Sequence, residues 1–264
     1  MSEAARATHR FPALSGGAAL KQSHWFRCNH APAKRVRMFC FPYAGGSAGS
    51  FMPWQAALGD AVDVCAAQLP GHGSRLLEPP FRSFELLTEQ LSAAVLANDD
   101  LPYLLVGHSF GALLAFEVAR RLQRLDATPP RTLVVSGCES PQTRSTAGRS
   151  LHELDDEGLI QALRELNGTP VEVLRDRALI ELVKPALRAD FEMVANYRFV
   201  AGPLLTSPIV AMAGLSDTQV GTGGVEGWGA LTQSTHALHW IEGDHFFIDS
   251  QRHSVLDIIR PLVS

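Results

Sequence analysis

The chain of 264 residues carries 23 Lys and Arg against 27 Asp and Glu, a formal net charge of −4, with 46% hydrophobic and 19% charged residues. That balance is ordinary for a globular protein and leaves no electrostatic footprint for nucleic acid. No apolar run approaches the roughly 18 residues of a membrane span, and the N-terminus lacks the apolar core of a secretory signal, so a cytoplasmic protein is expected. The length allows one large domain or one domain with a substantial insertion. The four cysteines are Cys28, Cys40, Cys65 and Cys138, with no C-x-x-C pair. Cys40, Cys65 and Cys138 lie in apolar runs and read as small buried hydrophobes, which suits a reducing compartment.

In chain order, residues 1–23 are rich in Ala, Gly, Ser and Arg without periodicity and read as a poorly ordered lead-in, with the folded domain expected over 24–264. Val36–Phe41 is a near-continuous apolar run closed by Pro42, a buried strand. The loop that follows, Tyr43–Ser50, is glycine-rich. It has neither the Walker spacing with its Gly-Lys-Ser/Thr ending nor the G-x-G-x-x-G of a dinucleotide loop, so phosphate binding is disfavoured. Phe51–Leu58 predicts a short helix and Val62–Leu69 a strand, ended by the turn Pro70-Gly71-His72-Gly73. Phe84–Leu96 has the alternating apolar and polar faces of an amphipathic helix.

Tyr103–Val106 predicts the next strand and Ala112–Leu122 the next helix, and between them stands Gly107-His108-Ser109-Phe110-Gly111. A serine at a strand-to-helix turn, with glycine two positions to either side, is the nucleophile-elbow pattern of the α/β hydrolases. The bare pentapeptide is common; the strand before it and the helix after it make it informative. A sharp turn lifts the hydroxyl clear of the sheet, and the following helix aims its positive end at the reacting centre.

Thr132–Val135 predicts a further strand, ending at Ser136-Gly137-Cys138-Glu139. From about Ser140 to Leu205 no strand signal is present. Ser150–Glu153 has the form of a capping box, and Leu151, Leu154, Leu159, Ile160, Leu163 and Leu166 follow at helical spacing. Asp176 is placed to cap a second helix that Pro185 should kink or restart. This helical block, about 140–205, reads as an insertion that could act as a lid over the serine, or as a structural subdomain only. Strands resume at Ile209–Ala213 and Ala237–Ile241, and Ser254–Leu262 predicts a closing helix. The order predicts an α/β fold, a doubly wound and mostly parallel sheet with a helical lid insertion.

A serine hydroxyl needs a base, and the base needs an orienting acid. In an open α/β sheet such groups collect past the carboxyl ends of strands, in the chain order serine, acid, histidine for this elbow. Asp217 follows the IVAMA strand and His245 the ALHWI strand, so Ser109, Asp217 and His245 satisfy that order. Glu139, past an earlier strand, is the rival acid. Asp244 reads as a turn residue. His236 and His239 precede or lie inside the last strand, while His30, His72 and His108 follow strands or turns without an acid in the right place. With no H-E-x-x-H and no histidines at i, i+4, no metal site is expected. The oxyanion hole calls for two backbone N–H groups, that of Phe110 and one from the loop after Val36–Phe41, Tyr43 first and Ala44 second.

Together, Phe41-Pro42-Tyr43-Ala44-Gly45-Gly46-Ser47, Leu69-Pro70-Gly71-His72-Gly73, Gly107–Gly111, Gly214-Leu215-Ser216-Asp217 and Gly243-Asp244-His245-Phe246-Phe247 resemble the type II thioesterases of nonribosomal peptide and polyketide synthesis. The resemblance runs from about Trp25 to the C-terminus, and Arg188–Tyr197 resembles the family's lid. His72-Gly73 stands where many relatives carry Gly-Arg. The resemblance implies a stand-alone α/β hydrolase that needs no cofactor. Its activity would be hydrolysis of acyl or aminoacyl groups from the phosphopantetheine arm of acyl or peptidyl carrier proteins, through an acyl-enzyme on Ser109. A monomer is expected. The competing expectations are a small-ester esterase or acyltransferase on the same fold, and a non-catalytic binding protein.

Overall fold

A computed structural model describes residues 24–144, 150–169 and 171–264; the lead-in expected over 1–23 lies outside them. The strands are β1 (Phe26–Cys28), β2 (Val36–Phe41), β3 (Val62–Ala67), β4 (Tyr103–His108), β5 (Thr132–Ser136), β6 (Ile209–Gly214) and β7 (His236–Ile241). The helices are α1 (Trp54–Leu58), α2 (Phe84–Leu96), α3 (Phe110–Arg124), α4 (Asp156–Leu166), α5 (Val171–Arg175), α6 (Arg177–Asn196), α7 (Thr222–Glu226), α8 (Phe247–Ser250) and α9 (Arg252–Ile259). One seven-stranded sheet runs in the order β1-β3-β2-β4-β5-β6-β7, parallel throughout except for β1 against β3.

Strand periodicity sorts the core into two layers. Phe39, Phe41, Leu105, Leu133 and Val135 face α2 and α3. Met38, Cys40, Leu104, Val106 and Val134 face Trp54 of α1 and Val255, Leu256 and Ile259 of α9. Strands covered on both faces read as near-continuous apolar runs, which makes them visible in the sequence. The chain leaves β2 for β3 on one side and returns to β4 on the other. The loops after β2 and β4 therefore part at a topological switch point, the place where open α/β sheets bind ligands.

Three expectations change, and four short elements had none. β1, α5, α7 and α8 have three to five residues each, too few to show a period. Pairing of β1 with β3 sets Cys28 opposite Cys65, and the two form a disulfide, so Cys65 is not a lone buried hydrophobe. Ser150 opens only a 3₁₀ turn, Leu151–Glu153, without a side-chain cap; α4 starts at Asp156, capped by Asp155, whose carboxylate accepts the Gly158 N–H at 2.8 Å. Pro185 does not restart the helix: Asp176 caps α6 as expected, and the one helix runs through the exposed Pro185 with Ile180 before it and Ala186 and Leu187 after it buried. Among the described residues no helix is long and apolar enough to cross a membrane.

Candidate active site

Ser109 sits between β4 and α3 with φ 55° and ψ −116°, a left-handed backbone that a serine adopts at a cost. The turn is held by the Ser109 N–H donating to the Ser136 carbonyl at 2.8 Å. Its flanking glycines are dictated by contact. A Cβ on Gly107 would lie 2.1 Å from the Gly111 carbonyl oxygen, and one on Gly111 would lie 2.0 Å from that of Phe41. No side chain fits either place, so the elbow closes only with glycine at both.

Three loops converge on the serine hydroxyl. His245, past β7, has Nε2 3.0 Å from Ser109 Oγ, and its Nδ1 lies 2.7 Å from Oδ2 of Asp217, past β6. The Asp217 carboxylate also accepts the Gln219 N–H at 2.8 Å, which fixes its plane. Both Asp217 and His245 are buried, at 8% and 6% exposure. The loops are tied to each other by the Ser216 N–H donating to Gly243 and the Leu215 N–H to Ile241. The order serine, acid, histidine read from the sequence is thus one hydrogen-bonded row in space.

The rivals go elsewhere. Glu139 Oε1 accepts the Gly221 N–H at 2.9 Å and braces the chain before α7. Asp244 Oδ1 accepts the Phe246 N–H, as a turn residue does, and its other oxygen takes the Asn167 side-chain amide. His236 and His239 lie on β7 and His30 is exposed. His108 is wholly buried beneath the site, with Nδ1 2.9 Å from Ser136 Oγ and its ring 5.1 Å from that of His245. Burial, and then electrostatic repulsion between it and the His245 ring, hold its pKa well below the ordinary value, so it is neutral. His72 does have an acid, Asp190 of α6, which no spacing in the sequence announced.

Two cavities meet at Ser109. One, of about 240 Å³, lies between the loops after β2 and β3 and the helical insertion, with Tyr43, Ala44, His72, Leu163, Val183 and Phe191 among its walls. The other, of about 300 Å³, runs past Phe110 and Leu113 to Cys138, Val194 and Val220. Ala44, Ser109, Phe191 and His245 border both. Of the insertion's apolar residues, Leu151, Leu163, Val183, Phe191 and Val194 face these cavities; Leu159 is buried in the insertion's own cluster, while Leu154, Leu179 and Leu182 are exposed. Among the described residues no group of three or more His, Cys, Asp or Glu is placed to hold a metal ion.

The thioesterase domain model matches residues 36–263. The gramicidin S biosynthesis protein GrsT of Aneurinibacillus migulanus is 34% identical over 236 residues, 89% of this chain and 92% of that protein. The protein named linear gramicidin dehydrogenase LgrE, of Brevibacillus parabrevis, is also 34% identical, over 85% of this chain and 86% of its own. Among solved structures, the type II thioesterase BorB from the borrelidin biosynthetic cluster superposes with a TM-score of 0.84 at 35% identity, covering 91% of this chain and 98% of its own. With nearly the whole described fold matched, the chain belongs to the thioesterase family.

Proposed function

We propose that the protein is a type II thioesterase that hydrolyses acyl or aminoacyl thioesters from the phosphopantetheine arms of carrier proteins, with Ser109 as nucleophile, His245 as base and Asp217 as orienting acid. The observation that carries this reading is the hydrogen-bonded row Ser109–His245–Asp217 at the junction of two cavities, one for each side of a thioester. The dehydrogenase named in one relative has no counterpart in the residues: the loop after β2 lacks the dinucleotide spacing.

Ser109 Oγ–H donates to His245 Nε2, and His245 Nδ1–H to Asp217. Oγ attacks the thioester carbonyl while the proton passes to Nε2. The negative oxygen of the tetrahedral intermediate is met by the Phe110 N–H, at the positive end of α3, and by an N–H of the loop after β2, Tyr43 or Ala44; the position of Ala44 on both cavities supports Ala44. The C–S bond breaks, the thiol leaves with the proton from His245, and an acyl-serine remains. Water, deprotonated by His245, then releases the acid and restores Ser109. A thiolate is a good leaving group, so the demand falls on oxyanion stabilisation more than on leaving-group protonation. The helices between β5 and β6, about residues 140–205, act as the lid of this site.

The test is hydrolysis of acetyl-carrier protein against acetyl-coenzyme A, by wild type and Ser109→Ala. The carrier-bound substrate should be preferred, and Ser109→Ala should retain less than about a thousandth of the wild-type rate while folding normally. Equal efficiency on both substrates would favour a general esterase, and a higher residual rate would point to another nucleophile.

A further inference from the structure

A second buried histidine–carboxylate pair stands beside the first. Oδ2 of Asp190, on α6, accepts the Gly45 N–H at 2.8 Å and lies 2.8 Å from Nε2 of His72, in the turn after β3. Nδ1 of His72 lies 3.0 Å from the Pro70 carbonyl oxygen. Both side chains are almost fully buried, His72 at 4% and Asp190 at 1% exposure. A carbonyl oxygen only accepts, so His72 Nδ1 carries a proton. An ionised carboxylate has no proton to give, so toward the Asp190 carboxylate Nε2 donates as well. An imidazole that donates from both nitrogens is a cation, and the pair is a buried ion pair. Burial alone would lower the His72 pKa. The charge of Asp190, its hydrogen bond and the Pro70 and Leu69 carbonyl groups outweigh that and raise it.

The pair touches the site through Gly45. This residue has φ +77° and directly follows Tyr43 and Ala44, and it borders the same cavity as Ser109. Fixing the Gly45 N–H fixes the peptide plane next to the oxyanion donor. We propose that Asp190, in its pairing with His72, is a positioning residue for thioester hydrolysis: it fastens α6 to the Gly45 peptide and so holds the oxyanion loop in register with Ser109. This rests on the reading that the loop after β2 supplies an oxyanion N–H. The seating of one helix of the insertion is then part of what completes the site.

A clip that served stability alone would leave turnover per folded molecule unchanged. Asp190→Ala removes both hydrogen bonds and should lower kcat on acetyl-carrier protein about 100-fold, the scale of a lost oxyanion donor, with KM nearly unchanged. Asp190→Asn keeps an oxygen for Gly45 and His72 and should recover about tenfold of that loss. A folded Asp190→Ala with wild-type kcat, or with only KM raised, overturns the proposal. If Asp190→Ala does not fold, Asp190→Asn decides: the missing charge should still cost about tenfold in kcat, and a wild-type rate overturns the proposal. In the wild-type protein, ¹⁵N NMR at neutral pH should find both His72 ring nitrogens protonated; a single protonated nitrogen overturns the ion pair. Labelling by a fluorophosphonate separates this proposal from the reading of the site. Wild type should label at Ser109, and Asp190→Ala about 100-fold more slowly. Equal labelling rates overturn the positioning role alone, whereas an unlabelled wild type overturns the nucleophile assignment.

Discussion

Below Ser109, every residue of β2, β3, β4, β5 and β6 is buried, and the elbow is closed by backbone contacts that admit no side chain at Gly107 or Gly111. Above it, α4, α5 and α6 share a small cluster of their own, Leu159, Leu163, Leu174, Ile180 and Leu187. They reach the sheet domain at the end of α6, where Met193 and Tyr197 join the core beside α2 and α3, and elsewhere through separate polar ties: Asp190 to Gly45 and His72, Asn167 to Asp244, Tyr197 to Glu117, and Arg82 to Glu192. The floor is determined by excluded volume, the roof beyond its Met193 anchor by contacts that can be exchanged one at a time. Bond-making groups belong on the first kind of structure, because a displacement of about 1 Å costs on the order of 100-fold in rate. A surface that must accept different acyl groups belongs on the second.

The strongest way to test that division is at the acid. Asp217 is anchored in the floor through the loop after β6, and Asp217→Asn should lower kcat about 10⁴-fold, because the tautomer and orientation of His245 lose their partner. Glu139→Gln, one strand away, should change kcat little, since its carboxylate braces Gly221 and not His245. Steady-state kinetics on acetyl-carrier protein decides. If Glu139→Gln is the more damaging change, the acid has been assigned to the wrong strand.

The same division sets what could be read in the sequence. Val36–Phe41 and Phe84–Leu96 were legible to the residue, one as a near-continuous apolar run and the other as an amphipathic period, which the structure shows capped by Ser83. The hydrogen-bonded row of Ser109, His245 and Asp217 was legible because strand ends collect such groups and the order of the three is characteristic of this elbow. The roof was legible as helices but not as contacts. His72 and Asp190 are 118 residues apart, and no local spacing relates a turn after β3 to the fourth turn of a long helix. Cys28 and Cys65 escaped for a similar reason: their pairing depends on β1, whose three residues carry no pattern.

A milder effect is expected from the roof. Val183 of α6 lines the cavity of about 240 Å³ that ends at Ser109. Val183→Phe should fill part of it and slow hydrolysis of a decanoyl thioester about tenfold, while acetyl turnover stays within about threefold, as pocket discrimination of 1–3 kcal/mol allows. Competition assays with the two acyl groups on one carrier protein measure the ratio directly. Equal slowing of both would mean that the insertion frames the site without grading its substrates.

The smallest expected effect is a pair of pH slopes in stability, one from each side of the cavity. His108, in the floor, has its pKa lowered by burial and then by His245. Below about pH 6.5 the unfolded chain takes up a proton there that the folded chain refuses, so stability falls as the pH drops from that value toward the folded pKa. His72, against the roof, is the opposite case. Burial opposes its charge, but Asp190 and the carbonyl groups prevail and raise its pKa. Its contribution is complete below about pH 6.5 and is lost as the pH rises from there through the folded pKa. Thermal unfolding followed from pH 5 to 9, at about unit intervals, should therefore show a maximum with both flanks attributable. In His72→Gln the alkaline decline should flatten while the acid one persists, because the floor histidine is untouched. An alkaline flank that survives in His72→Gln would mean that the roof is not held by a charged pair, and that its attachment is apolar like the floor's.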